Sequence, residues 1–233
     1  MPPQDLTTRC GPLVVADLGR EAYGPALARQ RALNEAVIAG ESPPTVLLVE
    51  HDPVVTLTRR KAVADHLVAT PEQLAAAGVE THETDRGGDI TYHGPGQLVV
   101  YPILKLGDFG LNLSRYMRLL EQTVIDTAEH WGIVGHNECG AAGVWVDPGD
   151  GTPTQKLCAM GVRIRRNTTL HGLALNVTTN LDHFKLIVPC GLHGRPVTSM
   201  QALLGDACPT MPEVKRVLVE KLCANLDRAG QAR

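Results

Sequence analysis

Two side chains of this sequence are best suited to covalent chemistry. One is the cysteine of Ile187-Val188-Pro189-Cys190-Gly191-Leu192, the other the lysine of Gln155-Lys156-Leu157-Cys158-Ala159-Met160-Gly161. A free thiol titrates at about 8.5, so it is mostly protonated at neutral pH; an ammonium beside it favours the thiolate, the form that attacks a carbonyl carbon. The pair suggests covalent acyl transfer, with Cys190 as nucleophile and Lys156 as its activator. The residues alone do not bring the two together, and a buried, inert thiol packed as a small hydrophobe is the plain alternative for Cys190.

A second stretch, Arg86-Gly87-Gly88-Asp89-Ile90-Thr91-Tyr92-His93-Gly94-Pro95-Gly96-Gln97, leads into the apolar run Leu98 to Ile103. Gly87 and Gly88 let a backbone pass close to a ligand, and Gly94-Pro95-Gly96 makes a rigid turn with His93 at its mouth. A glycine-rich hairpin with a solvent-facing histidine is the competing reading. Asp89 could stabilise the Gly87-Gly88 turn. Neither G-x-x-x-x-G-K-S/T nor a G-x-G-x-x-G between strand and helix occurs, so the segment does not read as a nucleotide site.

These residues need a scaffold. Leu13 to Leu18, Thr45 to Glu50, Val54 to Leu57, Val79 to Glu83, Asp89 to Tyr92 and Leu98 to Leu104 read as strands, and Gly24 to Val37 as an amphipathic helix. Pro71 to Ala77 reads as a short helix. Asn112 or Ser114 can cap a longer, core-facing helix that runs to about Trp131 and stops at Gly132. Lys156 to Ile164 and Thr169 to Val177 are strand-like, placing Lys156 at the start of one strand and His171 within its neighbour. Thr210-Met211-Pro212-Glu213 is a capping box that launches a terminal helix. Strands and helices do not strictly alternate, so the expected class is α+β (mixed α/β) and not a doubly wound parallel sheet.

With 233 residues, no internal repeat and no linker-like stretch, a single domain is expected. The formal charge of -3 and the shortness of the basic clusters Arg59-Arg60-Lys61 and Arg163 to Arg166 argue against nucleic-acid binding. The second cluster alternates like an exposed strand face; it is either simply solvated or a dock for an acidic partner. No secretory signal and no apolar run of about 18 residues is visible, which predicts a cytoplasmic protein without a membrane span. The six cysteines, at 10, 139, 158, 190, 208 and 223, contain no C-x-x-C pair, and no H-E-x-x-H is present. Neither a disulfide framework nor a metal site is expected.

Taken together, RGGDITYHGPGQLVVYPIL, GVWV, KLCAMGVRI, LHGLALNV and IVPCGL resemble, in order and spacing, the lipoyl(octanoyl) transferase family of lipoate biosynthesis. The resemblance runs from Leu47 to Ser199. It implies the biotin/lipoate protein ligase fold, a larger mixed sheet with flanking helices and a smaller sheet closing the site, in one catalytic domain of residues 1–233. It makes Cys190 the acyl-accepting nucleophile and Lys156 the residue that lowers its pKa. It also implies that the acyl chain is held by Arg86, Gly87, Gly88, Asp89, Ile90, Thr91, Tyr92 and His93, by Ala159, Met160 and Gly161, and by Gly172, Leu173 and Ala174. His171 and His93 would orient the acyl carbonyl or contact the acceptor, or be hydrogen-bonded within the sheet.

The implied reaction moves an octanoyl group from octanoyl-acyl carrier protein, through a thioester on Cys190, to a lysine of a lipoyl domain. Acceptors of that kind are the E2 subunits of 2-oxoacid dehydrogenases and the glycine cleavage H protein. The donor is already activated, so no cofactor is required. Two departures from the family pattern stand out: Thr58 where glycine is usual, and the insert Asp147-Pro148-Gly149-Asp150-Gly151. An ATP-dependent lipoate ligase of the same fold is the runner-up, although it has no use for Cys190; a silent acyl-carrier or lipoyl-domain binder is the third reading.

Overall fold

Three apolar runs, Thr45–His51 (β3), Gln97–Ile103 (β7) and Thr168–Asn176 (β11), are buried along nearly their whole length. Strands buried on both faces belong at the centre of a covered sheet, and there these three lie side by side. The structure, a computed structural model, describes residues 4–8, 11–59, 66–188 and 195–231. Gln4–Thr8 (β1) and Gly11–Glu21 (β2) extend the sheet on one side; Gln155–Arg165 (β10), Ala141–Val146 (β9) and Gly135–Glu138 (β8) extend it on the other. The order is β1-β2-β3-β7-β11-β10-β9-β8. Within this sheet, among the described residues, only β2 and β3 pair in parallel, joined through the helix Tyr23–Ala39 (α1).

The smaller sheet has the order β5-β4-β6, built from Val54–Thr58 (β4), Glu80–Thr84 (β5) and Ile90–His93 (β6). β4 and β5 run parallel across the helix Pro71–Ala76 (α2), whose Thr70 and Gln73 close a capping box. The close spacing of β3 and β4 does not make a hairpin. The His51-Asp52-Pro53 turn carries the chain out of the large sheet into the small one, and Gly94-Pro95-Gly96 carries it back between β6 and β7. This is the α+β arrangement of a larger mixed sheet, a smaller sheet and flanking helices.

Alternation along the central strands divides the core into two faces. Val46, Leu48, Leu98 and Val100 pack with residues of Leu113–Glu129 (α3) and Met211–Gln231 (α5). Leu47, Val49, Val99 and Tyr101 pack towards Val37 of α1. Asn112 accepts the Arg115 N–H at 2.9 Å and starts α3; the Glu213 carboxylate accepts the Thr210 N–H at 2.8 Å at the start of α5. A short helix, Met200–Leu204 (α4), is capped by Ser199.

Candidate functional site

Where the two sheets meet, a narrow cavity with about 40 Å³ of solvent-accessible volume is walled by β6, β7, β10 and β11 and by Tyr23 of α1. That is well below the roughly 300–1,000 Å³ usual for small-molecule sites, so the strands must part or side chains shift for an alkyl chain to enter. Of the residues expected to hold an acyl chain, Arg86, Thr91, His93, Ala159, Met160, Gly161, Gly172, Leu173 and Ala174 line it, together with Lys156 and His171. Gly87 and Gly88 line a wider groove beside it, with Leu113, Met117 and the Gly140–Ala142 turn; the groove shares Lys156, Met160 and Gly161 with the cavity.

Asp89, Ile90 and Tyr92 lie outside both linings. Ile90 and Tyr92 point to the opposite side of β6 from Thr91 and His93 and pack with Val55 and Phe184. The Tyr92 hydroxyl meets His183 Nδ1 at 2.7 Å. The Asp89 carboxylate pairs with His66 and does not support the Gly87-Gly88 turn through that side-chain bond. Thr58 closes on that turn instead, donating to the Gly88 carbonyl at 3.3 Å. Tyr23, Val99 and Tyr101 were not anticipated in the lining; they come from α1 and β7, and only the topology brings them here.

The glycines of the lining serve the backbone first. A Cβ on Gly161 would stand 2.6 Å from the Gly87 carbonyl oxygen, and the Gly87 N–H donates to Val162 O at 2.9 Å, so the Arg86-Gly87-Gly88 segment lies backbone against backbone on β10. A Cβ on Gly172 would collide with the Val100 carbonyl oxygen and stand 2.9 Å from Pro102 Cδ. Gly172 is therefore needed for β11 to pair with β7. Arg86 is equally structural: its guanidinium donates to Thr56 O at 3.1 Å, Thr56 Oγ1 at 2.9 Å and Gly87 O at 3.0 Å.

His93 is buried, not solvent-facing. The Gln97 amide donates to Tyr92 O and Asn176 Oδ1, so its Oε1 accepts the Nδ1–H of His93 at 2.7 Å and leaves Nε2 with a bare lone pair. Burial first, then the neighbouring His51, pushes the His93 pKa down to about 3. His171 donates Nε2–H to Asp85 at 3.0 Å, its backbone N–H goes to Gln30, and it holds φ at 59°, a strained value for a residue with a Cβ. Burial outweighs the Asp85 contact and takes His171 down to about 4. His51 is also lowered by burial, with Nδ1–H on Glu21 O and Nε2 accepting from the Tyr101 hydroxyl, each at 2.8 Å. At neutral pH these imidazoles are uncharged, and His93 and His171 give the cavity a neutral stretch of wall suited to an alkyl chain.

Lys156 is 8% exposed and its ammonium donates to Ala142 O at 3.2 Å. Its backbone N–H donates to Pro196 O at 2.9 Å, and the Thr198 N–H donates to Lys156 O at 2.9 Å, so the chain downstream of residue 194 is zipped onto β10 at the lysine. On the upstream side the Val188 N–H donates to His66 O at 2.8 Å. Cys190 itself lies outside the described residues. Cys158 faces the helix-covered core, fully buried, and burial pushes its thiol up to about 12, which removes it as a competing nucleophile.

The basic strand face is already paired. Arg163 bonds Asp85 and Arg165 bonds Glu35, so these two cations are committed within the chain. Asp147 and Asp150 of the insert close local turns onto the Gly149 and Thr152 N–H groups at 2.9 and 3.0 Å. Among the described residues no group of His, Cys, Asp and Glu is placed to hold a metal ion, and no helix is long and apolar enough to cross a membrane.

Residues 22–223 match the family model of the lipoyl protein ligase A/B catalytic domain. The octanoyltransferase of Chloroflexus aggregans is 47% identical over 216 residues, covering 92% of this chain and 95% of the relative. Among solved structures, the bi-partite lipoate protein ligase of Thermoplasma acidophilum superposes with a TM-score of 0.70 at 16% identity, over 91% of this chain and 82% of that one. The biotin protein ligase of Aquifex aeolicus gives 0.53 at 14% identity, over 93% and 70%. The folds agree with both ligases. Sequence identity at this level over nearly the whole length decides the rest: the chain belongs to the octanoyltransferases of the lipoyl protein ligase A/B catalytic-domain family.

Proposed function

We propose that residues 1–233 act as one catalytic domain that takes an octanoyl group from octanoyl-acyl carrier protein and delivers it to a lysine of a lipoyl domain. The acceptors are the E2 subunits of 2-oxoacid dehydrogenases and the glycine cleavage H protein, in the cytoplasm, at the first step of endogenous protein lipoylation. The observation that carries this reading is the position of Lys156, at the junction of a cavity with neutral histidines in its wall and a wider groove, and zipped to the stretch that follows Cys190.

In the first half-reaction the Cys190 sulfur forms a bond to the thioester carbonyl carbon, and the carbon–sulfur bond to the donor's pantetheine arm breaks. The departing thiolate takes a proton, supplied by Lys156. In the second, the acceptor amine attacks the same carbon, the bond to Cys190 breaks, and the amine proton returns to Lys156. The alkyl tail lies against the paired strands β10 and β11, along Ala159, Met160, Leu173 and Ala174, with His93 and His171 as neutral wall. The first step exchanges one thioester for another and the second turns it into a more stable amide, so neither ATP nor a cofactor enters.

The test is transfer with purified octanoyl-carrier protein and a lipoyl domain, with and without ATP. Octanoylated lipoyl domain in both reactions supports the transferase. Product only with free octanoate and ATP assigns the chain to the ligase reaction instead.

A further inference from the structure

Lys156 shares an aromatic surface with a second cation. Its Nζ lies over the Trp145 indole, 4.5 Å from the ring centroid, and the Arg195 guanidinium lies over the same ring with Cζ at 3.7 Å. Two positive charges on one indole repel unless one is compensated, and Arg195 is. Its two terminal nitrogens contact both Glu138 oxygens, each at 2.7 Å, and this pairing holds the Glu138 carboxyl down to about 2. Trp145 is 1% exposed and its Nε1–H is bonded to Ala141 O at 2.9 Å, so the ring is fixed in place. The sheet register sets Trp145 directly opposite Lys156.

We propose that Trp145, braced by the Glu138–Arg195 pair, is a positioning residue that holds the Lys156 ammonium at the cavity mouth and favours its charged form. The inference rests on Lys156 acting on Cys190 as set out above. An aromatic face stabilises a cation it covers, most strongly when the pair is withdrawn from water. Among the described residues the charged and titratable groups around the lysine are Glu138 and His136 of β8, Glu121 of α3, which accepts the Gly143 N–H, Cys158 on its own strand, His93 and His171 in the same cavity lining, Arg195 downstream and Arg86 across the cavity. Glu138 balances Arg195. The indole, together with the Ala142 carbonyl, favours the ammonium without adding net charge to the site. Arg195 follows Cys190 by five residues, so the same ring ties the base of that segment to the lysine.

The experiment reads the pH midpoint of iodoacetamide labelling at Cys190, followed by peptide mass mapping, in the full-length protein. Five forms are compared: the natural sequence, Trp145→Phe, Trp145→Leu, Lys156→Ala and Trp145→Leu with Lys156→Ala. With the indole gone, the ammonium is less well held in place and less favoured in its charged form. The midpoint rises by about half a unit to one unit in Trp145→Leu, and by less in Trp145→Phe, whose smaller ring keeps a weaker face. The double variant matches Lys156→Ala alone, because the indole acts through the lysine. A shift in Lys156→Ala with none in either Trp145 variant overturns the proposal, as does a double variant that shifts further than Lys156→Ala. No shift in Lys156→Ala overturns the role of the lysine itself, and the proposal with it. Trp145→Phe keeps the core filled, so it decides the matter even if Trp145→Leu does not fold.

Discussion

The buried histidines make acid stability a quantitative test of the site. Folded His93 titrates at about 3 and His171 at about 4, against about 6.5 when exposed. Between those limits the unfolded chain binds two more protons than the folded one, so stability is full above about pH 6.5 and falls as the pH drops. Each proton contributes a slope of about 1.36 kcal/mol per pH unit, and integrating both groups from pH 7 to pH 5 gives a loss of about 4 kcal/mol. His51, lowered by burial in the same sense, adds to it. Against a typical stability of roughly 5–15 kcal/mol, that is a large fraction. Carboxylates titrate mostly below this window, so they do not mask it. Urea unfolding at pH 7, 6 and 5 reads the loss directly. His93→Asn keeps a donor for Gln97 but cannot titrate, and the loss falls to about 2 kcal/mol. A stability that does not change between pH 7 and 5, or a His93→Asn variant as acid-sensitive as the natural protein, would refute the account of a neutral, buried cavity wall.

Gly172→Ala is expected to destabilise the fold by about 2 kcal/mol or more, because its Cβ meets the Val100 carbonyl of the neighbouring strand; thermal unfolding reads this, and an unchanged Tm would show that β7 and β11 can part cheaply. An effect of that variant on acyl length alone, with full stability, would place the alkyl path against Gly172 after all. Cys158→Ala removes a core thiol and leaves octanoyl transfer largely intact, whereas Lys156→Ala lowers the rate by about a hundredfold or more, the usual worth of a positioned acid–base group. Steady-state transfer assays separate the two, and equal losses would contradict the assignment.

Much of the scaffold was legible because periodicity and caps are local signals. The runs that became β3, β7 and β11 are apolar, Asn112 caps α3, and the Thr210–Glu213 box opens α5. β8 was not legible: Gly135–Glu138 is short and polar, and only pairing with β9 makes it a strand. The glycine-rich segment was legible as a motif but not in its division of labour. Period two along β6 separates Thr91 and His93, on the cavity, from Ile90 and Tyr92, in the small core, and that alternation was a usable signal. Tyr23, His51 and Tyr101 carried no such signal, since their partners lie on other elements. The alternation of Arg163 and Arg165 marked one strand face correctly, yet Asp85 and Glu35, which occupy those charges, are 78 and 130 residues away.

The central claim, that an acyl group passes through Cys190, is tested most directly by intact mass spectrometry of the protein after brief incubation with octanoyl-carrier protein and no acceptor. The expected result is a gain of one octanoyl group, mapped to Cys190, abolished in Cys190→Ala and discharged when a lipoyl domain is added. An adduct that persists in Cys190→Ala, or octanoylated lipoyl domain formed at full rate by that variant, would contradict it.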